Sequence, residues 1–421
     1  MVTAMTQAAK PATGENRSGA PAARPGGLTV AAAWAGLTAF VWYVFGALPL
    51  HLEVAGQLAL SPAQASSWIF IIWMSGAVSS IALSLRYRIP IPITWTLPGL
   101  IYLGTLAGQF SFAEIVGANL MAGAVILAFG FAGIGERIMA WLPLPIVMGM
   151  FGGSILVYVT RMVAASVADV LVAGITVAAY LAGRLLANPK LPPIGLAVIV
   201  GAAAVFLTGG AAPEAIVWEL PELVVPEIAF SAPAFVAVSL PMIVFAMGLG
   251  NVQGLGFLLN QKYRVPVTPV TVTVGLNSIV NALLGGHAAT VARTGAAILA
   301  GPEAGPKESR YWANLIAAGL TVSIALGAGT LVSLVAVLPA SFVVTLAGLA
   351  IVQSLQTALE SAFGGKLRFG ALAAFAVAAT PFAVFGITSA FWAVLAGIGA
   401  SLMAERREIL AYWRGREADA G

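Results

Sequence analysis

Apolar stretches follow one another along almost the whole of this chain, and that pattern constrains its fold more than any other feature. They run at 28–50, 63–85, 95–107, 112–132, 139–160, 166–186, 193–209, 231–259, 267–284, 291–301, 311–331, 334–356, 369–385 and 387–404. A helix needs about 20 apolar residues to cross the hydrocarbon core of a bilayer. With 60% hydrophobic and 9% charged residues and a mean hydropathy of +0.97, the chain does not read as a soluble domain. The expected fold is an all-α polytopic membrane protein with fourteen transmembrane segments. The third and tenth stretches are too short to cross, and each follows an extended-looking run (Pro/Thr-containing in the first case, Ala/Thr-containing in the second). They are read as half-helices preceded by extended chain.

Charge placement supports the count. With the N-terminal tail in the cytoplasm and strict alternation, every Lys and Arg except Arg161 and Arg293 falls on the cytoplasmic side. The 212–230 region carries Glu214, Glu219, Glu222 and Glu227 without a basic residue and is expected outside. Both termini are therefore expected in the cytoplasm. Residues 1–27 read as a disordered polar tail and lack the apolar core of a signal peptide. Residues 405–421 read as a short charged tail helix. The chain has no cysteine, so disulfides and thiol chemistry are excluded. The net charge of +4 lies in loops and is no sign of nucleic-acid binding. No metal cluster, nucleophile–base pair or phosphate loop is present, so neither an enzyme nor a cofactor is expected.

An internal repeat joins the two breaks. Shifting the sequence by 196 places Thr94 on Thr290, Gly99 on Gly295, Leu142-Pro143 on Leu338-Pro339 and Gly152 on Gly348. Seven segments is an odd number, so the halves must be inverted in the membrane. Inverted repeats broken at matching places point to a binding site near the bilayer midplane.

The breaks predict the chemistry. A helix that starts inside the membrane presents unpaired N–H groups and a partial positive charge, which suits an anion. Thr94, Trp95 and Thr96 lead into the first half-helix; Thr290, Arg293, Thr294 and Gly295 lead into the second. An arginine at that depth is expensive and is read as functional, gripping a carboxylate through paired hydrogen bonds. The alternative is an arginine that serves backbone carbonyls. Asn251 and Gln253, polar in the middle of the eighth segment, are expected to orient the ligand. Trp42, Tyr43 and Trp95 are candidates for ring contact, or else packing. His287 is a possible proton carrier or simply a capping residue of the break. Arg161 and Asp169 are expected to pair at the outer surface. Gly149, Gly152, Gly153 and Gly348 are expected to present a smooth face against which the binding half of the protein slides.

Several motifs carry a resemblance. ITWTLPGLIYL, GNVQGLGFL, GGHAATVARTGAAILAGPEAGP followed by RYWA, LPASFVVTLAGLAIVQSL and GITSAFWAVLAGI resemble the benzoate:proton symporter (BenE) family over nearly the whole chain after the tail. The resemblance implies the seven-plus-seven inverted-repeat fold shared with nucleobase and SulP-type anion transporters. It implies core-domain halves at 28–134 and 231–332, gate-domain halves at 135–211 and 333–404, elevator motion, an inner-membrane location and a homodimer through the gate. One departure stands out. Small or apolar residues follow His-Ala in the family pattern, whereas Ala292-Arg293-Thr294 is similar to the Ser-Arg-Thr of SulP transporters. Those normally carry a cytoplasmic STAS domain, for which residues 405–421 leave no room.

The leading expectation is a secondary carrier of benzoate or a related aromatic carboxylate, coupled to protons. A carrier of inorganic anions or aliphatic carboxylates without proton coupling is the runner-up, because a fixed Arg293 could replace a co-transported cation. A nucleobase carrier would suit Asn251 and Gln253 but not the arginine. A channel lined by half-helices is the alternative from another class.

Overall fold

The computed structural model describes residues 26–135, 141–186, 192–210 and 217–420. The expected tail at 1–25, the start of the first gate half after Gly135 and the first part of the acidic loop lie outside them. The described chain is mostly helical. Six helices are long and apolar enough to cross a membrane: α1 (Val30–Gln57), α2 (Pro62–Tyr87), α4 (Phe112–Ala132), α5 (Leu144–Ala168), α8 (Ala232–Asn260) and α13 (Ala340–Phe363). Between them lie α3 (Leu97–Thr105), α6 (Ile175–Leu186), α7 (Pro193–Leu207), α9 (Val267–Leu283), α10 (Arg293–Ala300), α11 (Tyr311–Leu326) and α12 (Ala328–Ala336). The chain closes with α14 (Arg368–Ala379), α15 (Ser389–Ala404) and the tail helix α16 (Arg406–Ala420). The eleventh stretch is not straight: the chain bends by 63° at Gly327, between α11 and α12.

Local sequence explains the helix ends. Ser61 with Gln64, and Ser111 with Glu114, form reciprocal capping boxes that satisfy the first N–H groups of α2 and α4. Asp169 accepts from Val172 N–H at 3.1 Å and from the Ser341 hydroxyl at 2.6 Å. It therefore closes the corner between α5 and α6 and bonds that corner to the start of α13. The expected Arg161–Asp169 pair does not form, because this corner has already taken both carboxylate oxygens.

The two breaks meet at the centre. Strand β1 (Ile93–Trp95) pairs antiparallel with β2 (Ala289–Val291), with Ile93 opposite Val291, Thr94 opposite Thr290 and Trp95 opposite Ala289. Two further bonds extend the ladder: Thr96 N–H donates to Ala288 C=O and Ala292 N–H to Pro92 C=O, each at 2.9 Å. Neighbouring helices satisfy the outer edges, as hydrocarbon demands. Ile93 N–H donates to Ser80 Oγ on α2 and Ala289 N–H to Ser278 Oγ on α9. Asn314 serves Ile91 C=O and Asn281 serves His287 C=O.

Close helix approaches complete the packing. A Cβ on Gly149 would lie 2.3 Å from Ala371 C=O, and one on Gly153 2.3 Å from Phe375 C=O, so α5 packs backbone to backbone on α14. Gly348 of α13 meets Met162 of α5 in the same way, while Gly152 has ordinary contacts with Ala358 and Phe375. Gly149, Gly153 and Gly348 therefore hold α5 tightly against α14 and α13. Their nearest neighbours all lie on α5, α13 and α14, not on the helices that carry the two breaks.

Candidate functional site

The β1–β2 pair delivers both half-helix N-termini to one cavity of ≈ 200 Å³, which α1, α8, α5 and α13 also line. Trp42, Tyr43, Thr94, Trp95, Thr96, Gln253, Thr290, Arg293, Thr294 and Gly295, all singled out in the sequence, line it. Gate residues the sequence reading passed over also do so: Met148, Phe151, Gln353, Ser354 and Thr357. A Gln-Ser pair followed by Thr357 inside an apolar helix carries the same signal that drew attention to Asn251 and Gln253.

Asn251 is not in the wall. It is 1% exposed, and its carboxamide oxygen accepts from Val291 N–H at 2.9 Å with the Thr290 hydroxyl at 3.2 Å. It fixes β2 rather than meeting a ligand. Thr290 donates to Ala246 C=O at 2.7 Å, in a stretch of α8 wound as π-helix (Val244–Asn251). Irregular winding leaves carbonyls in need of partners inside a membrane, and the Thr290 hydroxyl supplies one. Gly250 makes this crossing possible, since a Cβ there would sit 1.7 Å from Thr290 Oγ1; at Gly254 it would collide with Val291.

The two half-helix ends differ. In α3 the Thr96 hydroxyl accepts from Gly99 N–H at 3.3 Å, and Pro98 removes one donor altogether. In α10 the cap residue is Ala292, which has no side-chain acceptor. The N-terminus of α10 is therefore the one left for an external acceptor. Arg293 begins this helix and is exposed to the cavity. Its Nη1 donates to Gln253 Oε1 at 2.9 Å, and among the described residues it forms no ion pair. The Tyr43 ring stands over the same end. A Cβ on Gly295 would lie 2.0 Å from its hydroxyl, which is buried and has no partner among the described residues. Tyr43 meets Trp95 edge-on at 6.4 Å, and Trp95 packs on Trp73 at 4.4 Å. Trp42, Phe151, Met148 and Leu249 add to the apolar part of the wall beside Tyr43 and Trp95, while Gln353, Ser354 and Thr357 form a polar part. The arrangement can hold one anionic group at Arg293 and a flat apolar body beside it.

His287 lies behind the wall, fully buried, with Nδ1 accepting from the indole N–H of Trp68 at 3.1 Å. Elsewhere α5 is bonded to α1 and α3, and α3 to α8 and Thr388. The Tyr158 hydroxyl of α5 reaches Gln57 Oε1 at 2.9 Å and Ile101 C=O at 3.0 Å. The Tyr102 hydroxyl reaches Ala237 C=O at 2.5 Å and Thr388 at 3.1 Å.

Residues 27–403 match the family described as benzoate membrane transport protein (BenE). The chain belongs to that family. It is 28% identical over 381 residues to the inner membrane protein YdcO of Escherichia coli (strain K12), covering 90% of this chain and 94% of that protein. It is 27% identical over 374 residues to a benzoate membrane transport protein of Acinetobacter baylyi, covering 88% and 94%. Among solved structures it is similar to the transmembrane domain of the cyanobacterial bicarbonate transporter BicA. That match has a TM-score of 0.55 and 15% identity, over 89% of this chain and 96% of that one. The match to SLC26A9 has a TM-score of 0.58 and 12% identity, over 89% and 64%. At these identities the structural likeness speaks to the fold alone: a mostly helical, inverted-repeat membrane fold.

Proposed function

We propose that this protein is a secondary carrier of a small aromatic carboxylate, with benzoate as the leading substrate. One observation carries the reading. Two donors, the Arg293 guanidinium and the uncapped N-terminus of α10, meet at a single aromatic-walled cavity, with the buried Tyr43 hydroxyl packed against the same helix end. A carboxylate supplies the acceptor they need, and its ring would lie against Trp95, Trp42 and Phe151. Gln253 orients the arginine. The benzoate transport relative in Acinetobacter baylyi supports this substrate class.

The carrier works by alternating access across fourteen segments, arranged as two inverted sevens, with both termini in the cytoplasm of a cell with an inner membrane. Core (28–134 and 231–332) moves as an elevator against gate (135–211 and 333–404), and gates from two copies make a homodimer. The substrate travels with a proton. Met148 and Phe151 in the first third of α5, with Gln353 and Thr357 in the second half of α13, support a cavity mouth on the cytoplasmic side in this orientation. The Tyr158 and Tyr102 bonds hold the opposite side closed, which supports an inward-facing state.

The experiment is equilibrium binding of benzoate to the purified protein and to Arg293→Ala, with sulfate and uracil as competitors. Benzoate binding that weakens in the variant and ignores uracil supports the reading. Tight sulfate binding in its place moves the substrate class to inorganic anions, and unchanged binding in Arg293→Ala overturns the assigned site.

A further inference from the structure

The chain has two histidines, and the fold brings them together. His51 on α1 and His287 in the turn before β2 are fully buried, with ring centroids 6.0 Å apart. The turn is built for this. Gly285 takes φ +84°, and a Cβ on Gly286 would strike Ile72 of α2, so only glycine lets His287 come this close to that helix. Trp68, Trp73 and Trp95 surround His51 at 6.2, 6.1 and 4.9 Å. Trp95 is also a wall of the anion cavity, and the backbone of Thr96, another wall residue, lies beside His287.

Hydrogen bonds fix the tautomers. His51 Nδ1 is 2.8 Å from Ala47 C=O, which only accepts, so Nδ1 carries the hydrogen and Nε2 a bare lone pair. His287 Nδ1 accepts from Trp68, so in the neutral ring its Nε2 carries the hydrogen. Both Nε2 atoms are buried without a hydrogen-bond partner among the described residues. His51 therefore holds a spare acceptor, while the Thr96 backbone stands beside His287. Buried polar atoms are rarely left so without a purpose.

We infer that His51 and His287 form the binding site for the proton that accompanies the carboxylate, an inference that rests on the carrier reading above. A proton from solvent bonds to the lone pair of His51 Nε2; no other bond breaks, and Nδ1–H keeps Ala47. His287, locked by Trp68, stands between this atom and the Thr96 wall and positions the exchange. Charge couples the two ligands. With the cavity empty, a proton here meets the uncompensated Arg293. With a carboxylate on Arg293 that repulsion is cancelled, so anion and proton enter together. Few other charges bear on the pair. On α1, Glu53 is engaged by Gln57 at 2.7 Å; on α2, Arg86 lies at the far end over Tyr87; α3 and α9 carry no charged residue. The proton site rides within the core domain together with the anion site, as symport requires.

The test uses the full chain labelled with ¹⁵N-histidine, which reports this pair and nothing else. Rings are followed from about pH 8 to 5, the range in which histidine titrates, with and without saturating benzoate. Benzoate should raise the proton affinity of one ring on the order of tenfold, as for charges roughly 10 Å apart at an effective dielectric near 20. Calorimetry in buffers of different ionisation enthalpy should then show proton uptake on benzoate binding that His51→Gln abolishes. Benzoate binding with both rings neutral throughout and no proton uptake overturns the inference and leaves the carrier reading standing. Absence of benzoate binding in the wild type, read first by the same calorimetry, removes the carrier reading and the inference with it. Should His51→Gln fail to fold, the wild-type spectra decide alone.

Discussion

Thr94 and Thr290, 196 residues apart, are direct partners across the antiparallel β1–β2 pair. That separation equals the repeat shift, so the pair marks the pseudo-two-fold axis of the molecule. The flanking bonds obey the same relation: Thr96 to Ala288 and Ala292 to Pro92 exchange places under it. The symmetry stops at side chains. Thr290 is bonded to Ala246 and Asn251 and is buried, whereas Thr94 reaches only the neighbouring Trp95 C=O, at 3.4 Å. A symmetric scaffold thus carries an asymmetric site, with the positive charge on the second repeat alone.

Arg293→Ala should weaken benzoate binding by about 1.5–3 kcal/mol, the range of a hydrogen bond to a charged group, or roughly ten- to a hundredfold in Kd. Arg293→Lys should recover only part, because an ammonium cannot make the paired contact. Isothermal calorimetry checks both, and equal affinity of Lys and Arg would argue against paired contact.

Gly250→Ala should destabilise the fold by about 1–3 kcal/mol, because its Cβ has to displace Thr290 from beneath α8. Gly152→Ala should be nearly neutral, since its nearest neighbours stand 3.5–3.7 Å from a Cβ. Thermal unfolding in one detergent compares them directly. A Gly152 variant as damaged as the Gly250 variant would contradict the packing described.

Tyr158→Phe removes a hydroxyl whose one hydrogen is shared between Gln57 Oε1 of α1 and Ile101 C=O of α3. A net loss of about 1 kcal/mol would shift the equilibrium roughly fivefold away from the state seen here. Because the chain has no cysteine, a single Thr357→Cys reports on the cavity mouth without background. Its alkylation should slow in the Tyr158→Phe background; an unchanged rate would mean these bonds do not set the balance.

Glu405 gives a pH prediction. Burial raises its pKa, but N–H groups of Phe369 and Gly370 and the Ser401 hydroxyl outweigh this and hold it below the ordinary 4.5. A depressed carboxyl pKa means stability that is present above the unfolded value and lost as pH falls through the folded one. Glu405→Gln should therefore be less stable than wild type at neutral pH, with the gap closing below pH 4.5. Melting curves over that range test it, and a gap that persists in acid would show that charge is not the reason.

Particular residues show how much could be read in advance. The two breaks, the Thr94–Thr290 correspondence and the gathering of Arg293, Gln253, Trp95 and Tyr43 were legible, since polarity and prolines inside apolar stretches are local signals. Asn251 was misread as a ligand contact because depth in the membrane does not reveal which neighbour claims a carboxamide. Gly149, Gly153 and Gly348 signal close helix approach in the sequence, but only the fold names α14 and α5 as the partners, because a small residue carries no mark of what it meets. His51 gave no signal, for one histidine near a helix end means little until His287 is beside it.

By itself the sequence determined that this chain lives in a membrane, that its halves repeat and that each half breaks near the bilayer centre. Lipid offers no hydrogen bonds, so apolar run length and its interruptions act residue by residue. Which donors remain free was decided only in three dimensions. Thr96 caps α3 while Ala292 leaves α10 open, Asn251 is consumed by β2, and Tyr43 and His51 Nε2 are left over. A polar group's availability depends on every partner the fold brings within about 3 Å, and in this protein those partners come from the opposite repeat.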